Sequence, residues 1–411
     1  MKKEMFINRR EKALNALEQG EALLIFANPL PGGIYHFIQD KNFLYFTGLE
    51  IPDAILLMVN YGKTKASYLF IERNIPERIV WEGEKLHKEQ AIEACGITSV
   101  FYLDEFERMM SAYAGSIKTI LSDKFQTSLG TPMARPAMWI NKIKTNFPHI
   151  NVESLNRVIA PLRTVKEDWE IEEMQKAIDI TEQGIRKILD NAVAGMPEFT
   201  LESMLYNEML SNGYRHWGFK PIVAGGMNAT TLHYEDNDTP VKDNVLVLLD
   251  VGAACSGYSA DISRTFPISG KFTPRQLDIY NAVLKTQKTV IEMVKPGVLM
   301  AELNETAANM LATAMLDLKL IDDPKDFRKY YMHSIGHHLG LDTHDVGARD
   351  SVLEVGNVVT VEPGIYIPEE AIGIRIEDDI LVTKDGHRNL SINIPKEPQE
   401  LEAIRTAALK K

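Results

Sequence analysis

Four of the chain's ten histidines lie in one glycine-containing segment, HSIGHHLGLDTHD at 333–345. They are His333, His337, His338 and His344. An imidazole nitrogen can bind a divalent metal ion or move a proton near neutral pH. Gly336 and Gly340 disfavour a helix that would place His333 and His337 one turn apart, so an H-E-x-x-H zinc site is not expected.

Two pairs of carboxylates are predicted to meet across β-hairpins. The midpoint between Asp250 and Asp261 lies between the Cys and Ser of the turn AACSG, and that between Glu362 and Glu377 lies in the turn PEEA. Symmetric hairpins would place the members of each pair directly opposite each other, with Cβ atoms about 4.5–5.5 Å apart. Facing like charges destabilise a sheet unless something neutralises them.

Metal ions are the expected neutralising charge. Either pair alone could consist of exposed acids that point to water. Both pairs together, in apolar strands and with the histidine segment, favour two divalent ions about 3.5–4 Å apart. One histidine nitrogen would complete a five-ligand set and leave other histidines for binding and proton transfer. We interpret His338 as packed or solvent-facing, and the following as surface or core residues: His87, His149, His216 and His387.

The remaining sequence predicts two domains that position these residues. The segments ALLIF, AILLMV and ASYLFI predict buried strands, and KLHKEQAIEAC predicts a helix, which together indicate an α/β domain over residues 1–163. Thr164 and Glu167 are interpreted as a capping box that opens the first helix of the second domain, residues 164–411.

The second domain shows two similar rounds of elements. Helices are predicted at about 166–193 and in FTLESMLYNEMLSNG, and again at about 274–294 and 300–318. Each pair of helices is followed by hairpin-like strands. This order indicates an α+β domain with an internal duplication around one antiparallel sheet. The alternative is a coincidental resemblance between parts of an ordinary α+β domain.

Composition limits the partners and the compartment. The formal net charge is −12 and the sequence pI about 5.4, which disfavours binding to nucleic acid or to an anionic membrane. Neither a signal peptide nor a membrane-spanning apolar run is recognised. The only cysteines, Cys95 and Cys255, form no CxxC motif, so we expect a cytoplasmic protein.

Four motifs resemble those of the pita-bread metallopeptidases and, within them, the aminopeptidase P family: LLDVGAACSGYSADISRTFP, HSIGHHLGLDTHDVG, TVEPGIYI and GIRIEDDILVT. The segments FINRREKAL, YHFIQDKNFLYFTGLEIPDAILLMV and VWEG resemble that family's N-terminal domain. The resemblance implies a creatinase/aminopeptidase P-type α/β domain followed by a pita-bread catalytic domain.

The resemblance also implies a ligand set for two divalent ions: Asp250, Asp261, His337, Glu362 and Glu377. Asp261 and Glu377 would bridge both ions. Manganese is the usual metal of the family, and cobalt and zinc are the alternatives.

Further residues receive catalytic or supporting roles from the resemblance. His233 would hydrogen-bond the substrate near the scissile bond, and His333 and His344 would line the proline pocket and assist catalysis. Glu362 would also be the general base, with Arg375 and Tyr366 in a supporting network. The loop between Glu362 and Glu377 is shorter than in some bacterial members, which leaves fine specificity open.

The expected reaction is hydrolysis of an N-terminal Xaa–Pro bond by a hydroxide shared between the two ions. The alternative is a prolidase that cleaves only Xaa-Pro dipeptides. A metal-independent creatinase and a non-catalytic partner-binding module are disfavoured because every ligand position is filled.

The aromatic stretch IYHFIQDKNFLYF is expected to contribute mainly to the first domain's core through Tyr35, Phe37, Phe43 and Tyr45. Alternation directs His36 and Trp81 elsewhere. Trp81 is predicted to lie near an active-site entrance in a homodimer or homotetramer, as family relatives imply.

Overall fold

The computed structural model describes residues 2–31, 35–122, 134–348 and 350–410. Internal contacts divide the chain into two compact units, Met1–Leu162 and Arg163–Lys411. The division falls one residue from the boundary predicted after residue 163. No helix in the described ranges is both long and apolar enough to cross a membrane.

The first unit contains a six-stranded mixed sheet in the order β4-β3-β2-β1-β5-β6. Neighbours are antiparallel from β1 to β3 and parallel elsewhere. The three predicted strands are confirmed as β1, β2 and β3, the first three strands in chain order. Their runs of mainly apolar residues are typical of buried strands. The strands are β1 (Glu21–Phe26), β2 (Ile55–Asn60), β3 (Lys65–Ile71), β4 (Ser99–Tyr102), β5 (Thr119–Leu121) and β6 (Asn151–Glu153).

Helices cover this sheet and bury its apolar side chains. Leu24, Leu57 and Phe70 pack in one core with Phe106 of a covering helix. The helix predicted at 85–95 begins only at Lys88. The helices up to the division are α1 (Lys2–Ala16), α2 (Lys41–Thr47), α3 (Pro76–Glu82), α4 (Lys88–Cys95), α5 (Phe106–Tyr113), α6 (Arg135–Asn146) and α7 (Asn156–Thr164).

The aromatic stretch is only partly core. Phe43 and Tyr45 are buried on α2, whereas Phe37 is half-buried and Tyr35 is 77% exposed. The prediction is therefore wrong for Tyr35, because it precedes α2 in a segment without regular structure. His36 is exposed, as alternation suggested.

The second unit follows the predicted two rounds of helices. They are α8 (Asp168–Asn191), α9 (Glu198–Ser211), α10 (Pro274–Met293) and α11 (Met300–Asp317), with α12 (Pro398–Ala408) at the end. The predicted capping box is wrong by one turn. Thr164 ends α7, and the helix begins instead where the Glu170 carboxylate accepts from the Glu167 backbone N–H at 2.9 Å.

The strands of the second unit form two antiparallel three-stranded sheets and two small hairpins, instead of the one sheet predicted. One sheet has the order β11-β8-β7 and the other β12-β15-β16, and each belongs to one of the two rounds. The backbone N–H of Glu377 donates to the Ser263 carbonyl at 3.1 Å and thereby joins them. The strands are β7 (Ile222–Gly225), β8 (Leu246–Val251), β9 (Ala254–Cys255), β10 (Tyr258–Ser259), β11 (Ile262–Pro267), β12 (Val358–Val361), β13 (Gly364–Ile367), β14 (Ile372–Arg375), β15 (Asp378–Thr383) and β16 (Gly386–Asn389).

Apolar packing makes these strands a rigid support. Val359 and Ile380 are fully buried in a core with Leu303 of α11. Leu248 and Tyr366 belong to a second buried cluster beneath β7 and β8. Polar side chains carried by such strands have little freedom to move, which suits a site of fixed geometry.

Candidate metal centre

The first hairpin brings Asp250 and Asp261 to one face but not directly opposite each other. Asp250 pairs with Ser263, and the same register continues through β9 and β10. The turn residues Ser256 and Gly257 have φ angles of 50° and 87°, so the turn is centred one position later than predicted. The predicted direct pairing is therefore wrong. Because side chains alternate along a strand, Asp261 still shares a face with Asp250 as its diagonal neighbour.

The second hairpin has the register that the sequence predicts. Gly364 pairs with Arg375 in the β13–β14 ladder, and Val361 pairs with Asp378 in the β12–β15 ladder. Both ladders share one register, which places Glu362 and Glu377 opposite each other at the junction between them.

The histidine segment is held against β12 without forming a helix. His337 donates its backbone N–H to Thr360 Oγ1 at 3.1 Å and accepts from the Thr360 N–H at 2.9 Å. A Cβ added at Gly336 would lie 2.0 Å from the Thr360 carbonyl oxygen, so only glycine permits this close approach. His333 and His337 therefore do not lie one turn apart on a helix, as the glycines predicted.

The His337 imidazole is oriented toward the carboxylates. Its Nδ1 lies 3.0 Å from the His338 carbonyl oxygen, which can only accept, so Nδ1 carries the proton. Its Nε2 lies 3.4 Å from an Asp261 oxygen and 3.6 Å from a Glu362 oxygen. A histidine tautomer fixed in this way presents an unprotonated nitrogen, as a metal ligand requires.

A potential cation site lies where the hairpins and the histidine segment meet. Asp261, His337 and Glu377 each offer a ligand atom, and these atoms all lie within 4.8 Å of one another. Asp250 and Glu362 line the same cavity, whose volume is about 510 Å³. The cavity is also lined by His233, His333, His344 and Arg375. The five expected ligands and four of the expected supporting residues therefore share one space.

The carboxylates of this cavity are buried close together without enough positive charge nearby to neutralise them. Burial, and then the Asp250 carboxylate, raises the pKa of Asp261 well above its usual range. Burial and Asp261 do the same for the pKa of Glu377, and burial raises that of Glu362 to about 7. Among the described residues, Oδ1 of Asp250 is buried without a hydrogen-bond partner. Oxygen donors with one imidazole suit hard or borderline divalent ions, so the residues present fit a metal centre.

Arg375 connects two of the carboxylates that line the cavity. Its Nη2 donates to Asp250 Oδ2 at 2.6 Å, and its Nε donates to Ser263 Oγ at 2.9 Å. The Ser263 hydroxyl in turn donates to Glu377 Oε2 at 2.7 Å. Arg375 Nη1 donates to the Tyr366 hydroxyl at 2.9 Å. One guanidinium thus orients two of the carboxylates and a tyrosine.

His333 is held as a neutral ring. Its Nδ1 lies 2.8 Å from the Ser334 carbonyl oxygen and its Nε2 lies 2.8 Å from the Tyr366 hydroxyl. Burial, together with the charge of Arg375, lowers the pKa of His333 to about 3. Both ring nitrogens are occupied, so the ring is held in a fixed position and can offer a wall to a substrate.

Comparison with known proteins matches residues 172–384 to metallopeptidase family M24 and residues 6–121 to the N-terminal domain of aminopeptidase P. The Xaa-Pro aminopeptidase of Haemophilus influenzae is 32% identical over 98% of this chain and 97% of its own length. The chain belongs to the aminopeptidase P branch of family M24.

Solved structures agree with this assignment. A structure from Bacillus anthracis, described as an aminopeptidase P, is 41% identical with a TM-score of 0.94 and covers 99% of both chains. Zinc-substituted Escherichia coli aminopeptidase P in complex with product is 30% identical with a TM-score of 0.90, again over 99% of both chains. The protein is therefore a metal-dependent aminopeptidase with the predicted α/β and pita-bread domains.

The sequence analysis did not predict a buried ionic cluster at the end of the protein's histidine segment. Asp345 Oδ1 accepts from Arg163 at 2.6 Å and Oδ2 accepts from Lys166 at 3.0 Å, with all three side chains at most 2% exposed. The Asp345 backbone N–H donates to the His338 carbonyl oxygen. Arg163 and Lys166 follow the domain boundary in sequence, so no local pattern linked them to a segment near residue 345.

Two more residues were missed beside the expected ligands. The Asp261 backbone N–H donates to Asp379 Oδ2 at 3.2 Å, and Ser263 bridges Arg375 to Glu377. The run GIRIEDDILVT contains Asp379, but a carboxylate next to expected ligands carries no pattern of its own.

His338 is packed as predicted: it is buried, and its Nε2 lies 2.8 Å from Ser351 Oγ.

Trp81 belongs to the first unit, where it lies on α3 and is 86% exposed. The residues that line the metal cavity belong to the second unit. Trp81 is therefore not a core residue of its own unit, and its predicted place at the active-site entrance stays a prediction.

Proposed function

We propose that the protein hydrolyses the first peptide bond of chains that carry proline at the second position, with two divalent ions bound by Asp250, Asp261, His337, Glu362 and Glu377. One observation supports this most directly. The five side chains meet around one cavity, and burial raises the pKa of Asp261, Glu362 and Glu377. Such crowding of carboxylates is costly unless cations are bound.

In this proposal Asp261 and Glu377 would hold both ions, and their ligand atoms lie with that of His337 within 4.8 Å of one another. The family prefers manganese, and cobalt or zinc would also suit this mixed oxygen and nitrogen donor set. Bound there, the ions supply Lewis acidity, neutralise developing negative charge and make water more acidic.

The chain's own residues bind the substrate and move protons. Asp250 would offer Oδ1 both to a metal ion and to the free N-terminal amine of the substrate, since Arg375 occupies Oδ2. Glu362 lines the cavity beside His337 and is proposed to accept the proton of the attacking water. His233 and His344 line the cavity and donate hydrogen bonds to the oxygen that becomes negative in the transition state.

His333 is proposed to form a wall of the proline pocket. Its neutral ring packs edge-on against Tyr331 and Tyr366, with centroids 4.8 and 5.6 Å away. A proline imide has no N–H, so a pocket made by ring contacts selects it without leaving a donor unpaired.

Peptide hydrolysis with defined metals tests this function. The metal-reconstituted enzyme should release the first residue of a tripeptide with proline second, and a matched tripeptide with alanine second should be a poor substrate. Cleavage of an Xaa-Pro dipeptide but not of the tripeptide would identify the protein as a prolidase. Asp261→Asn should abolish turnover and lower the bound metal by about one ion per chain. A variant that retained two ions and normal turnover would contradict the proposed centre.

We also propose a homodimer or homotetramer that acts in the cytoplasm, with Trp81 at the entrance to the metal site. A large exposed indole is typical of protein interfaces. Light scattering should give more than one chain per particle. Trp81→Ala should change KM for longer peptides, whereas Val80→Ala, at a neighbouring residue that is also 86% exposed, should not. A monomer with unchanged kinetics would contradict this placement.

A further inference from the structure

His233 lies on an irregular strap, residues 226–240, between β7 and β8. The strap begins with a single 3-10 turn, Gly226–Thr230, and has no regular structure after it. His233 itself is exposed and lines the metal cavity. Regular secondary structure therefore does not fix the position of this imidazole, so other contacts must do so.

Glu198 binds the strap at both ends. This first residue of α9 is fully buried. Its Oε1 accepts from the Gly225 N–H at 2.7 Å and from Asn228 Nδ2 at 3.0 Å. Its Oε2 accepts from the Tyr234 hydroxyl at 2.7 Å and from the Thr239 N–H at 3.1 Å. Tyr234 directly follows His233, so the carboxylate holds the backbone beside the imidazole.

Four donors around one buried side chain require a carboxylate. An ionised glutamate offers two acceptor oxygens and no donor, whereas a glutamine amide would direct two N–H groups at one of these donor pairs. Hydrogen bonds to a charged acceptor are also the stronger ones. The arrangement is therefore specific for Glu198 and would not survive the isosteric change to glutamine.

Neighbouring contacts seat the rest of the strap. Asn237 is buried with φ of 47°, and its Oδ1 accepts from the Val223 N–H while its Nδ2 donates to the Pro221 carbonyl. A Cβ at Gly373 would lie 1.9 Å from the Ala229 carbonyl oxygen, so the strap packs closely on β14, which also carries Arg375. The segment from Leu232 to Asp236, which contains His233, lies between the contacts of Ala229 and Asn237, and Tyr234 within it is held by Glu198.

We infer that Glu198 is a positioning residue for the reaction, which sets the His233 imidazole against the substrate through Tyr234 and the strap backbone. The inference rests on the role proposed for His233. Glu198 does not line the metal cavity and acts only through the strap, so its loss should affect turnover more than metal binding.

A double-mutant cycle with His233 tests the inference. Glu198→Gln should lower kcat by at least about tenfold, because misplacing a group that acts in the transition state has effects of this size. Bound metal should be unchanged and KM should change less than kcat. In a His233→Ala background the same change should have little further effect, since the residue that it positions is gone. Glu208→Gln, the same change on α9 at a side chain paired with surface Lys187, should leave kcat unchanged.

The outcomes separate the inference from the function on which it rests. Equal losses from Glu198→Gln in both backgrounds, or no loss in either, would overturn the inference. If His233→Ala is fully active, the role proposed for His233 is wrong and the inference fails with it. Should Glu198→Gln not fold, Tyr234→Phe removes one donor only. It should then lower kcat modestly in the wild type and not in His233→Ala, and an equal effect in both backgrounds would again overturn the inference.

Discussion

Arg375 Nη2 donates to Asp250 Oδ2 at 2.6 Å, with side chains that are only 5% and 14% exposed. This bond leaves Oδ1 of Asp250 as a buried oxygen without a partner among the described residues. The same guanidinium reaches Glu377 through Ser263. Arg375 therefore determines the orientation of two carboxylates before any ligand binds, and its planar shape matters as much as its charge.

Arg375→Lys should impair the metal centre although it keeps the charge. A lysine ammonium cannot reach Asp250, Ser263 and Tyr366 with the same fixed geometry, so the carboxylates lose their orientation. We expect metal affinity or kcat/KM to fall by about 10–100-fold, the usual cost of removing a residue that orients metal ligands. Titration with manganese and tripeptide kinetics measure both. Arg275→Lys, at a surface arginine paired with Glu370, is the matched control and should change neither.

The raised pKa of Glu362 predicts a pH-dependent difference in stability. Burial raises this pKa from 4.5 to about 7, so the folded state binds the proton more tightly than the unfolded chain. The ionised carboxylate therefore destabilises the fold increasingly between these two pH values, by on the order of 3 kcal/mol at the upper limit. In the presence of a chelator, Glu362→Gln should gain stability relative to the wild type as the pH rises through this window.

The test must compare the free energy of unfolding of Glu362→Gln with that of the wild type at each pH, because other groups make the protein less stable as the pH falls. The pKa values of His333 and His338 are lowered by burial to about 3 and about 4, so their contribution to stability is lost as the pH falls below 6.5. Denaturant unfolding of both proteins at several pH values gives the difference. With saturating manganese the order at neutral pH should reverse, because Glu362 is proposed as a metal ligand. If the difference in the free energy of unfolding between the two proteins did not change with pH, burial would not raise the pKa of Glu362.

Much of the site could be predicted from the sequence because strand periodicity is strict. The midpoint between Glu362 and Glu377 lies in a turn, so the sequence placed the two residues opposite each other across a hairpin. The registers of both neighbouring ladders agree with this pairing. For Asp250 and Asp261 the same reasoning failed, since a turn centred at Ser256 and Gly257 shifts the pairing to Ser263. The shift is by an even number of residues, so the two acids kept a common face and the metal hypothesis was unaffected.

Contacts between distant segments could not be predicted in this way. Arg163 and Lys166 contact Asp345 although they lie 182 and 179 residues away in sequence. Glu198 contacts Thr239, which is 41 residues away, and no short-range sequence pattern predicts either contact. Helix boundaries failed for a related reason. Thr164 and Glu170 both suit a capping box with Glu167, but Thr164 is the last residue of α7 and the box forms between Glu167 and Glu170.

Asp345→Asn should destabilise the second unit strongly. Arg163 and Lys166 would be left buried without their shared carboxylate, which costs about 3–5 kcal/mol for a broken buried pair. Chemical denaturation measures the loss. Asp342→Asn is the matched control: this side chain also accepts from Arg163 but is 43% exposed, so its loss should cost less than about 1 kcal/mol. Equal effects of the two variants would show that the buried cluster does not support the histidine segment.

His344→Ala and His337→Ala should separate catalysis from metal binding. The two rings pack edge-on with centroids 4.3 Å apart, and His337 directs Nε2 at Asp261 and Glu362. His344→Ala should lower kcat by at least about tenfold with bound metal unchanged, since a group that assists proton transfer or charge stabilisation is lost. His337→Ala should lose metal as well as activity. Elemental analysis together with tripeptide kinetics distinguishes the two, and His87→Ala in the first unit serves as the unaffected control. Loss of metal in His344→Ala, with retention in His337→Ala, would mean that the ligand and the catalytic residue had been exchanged.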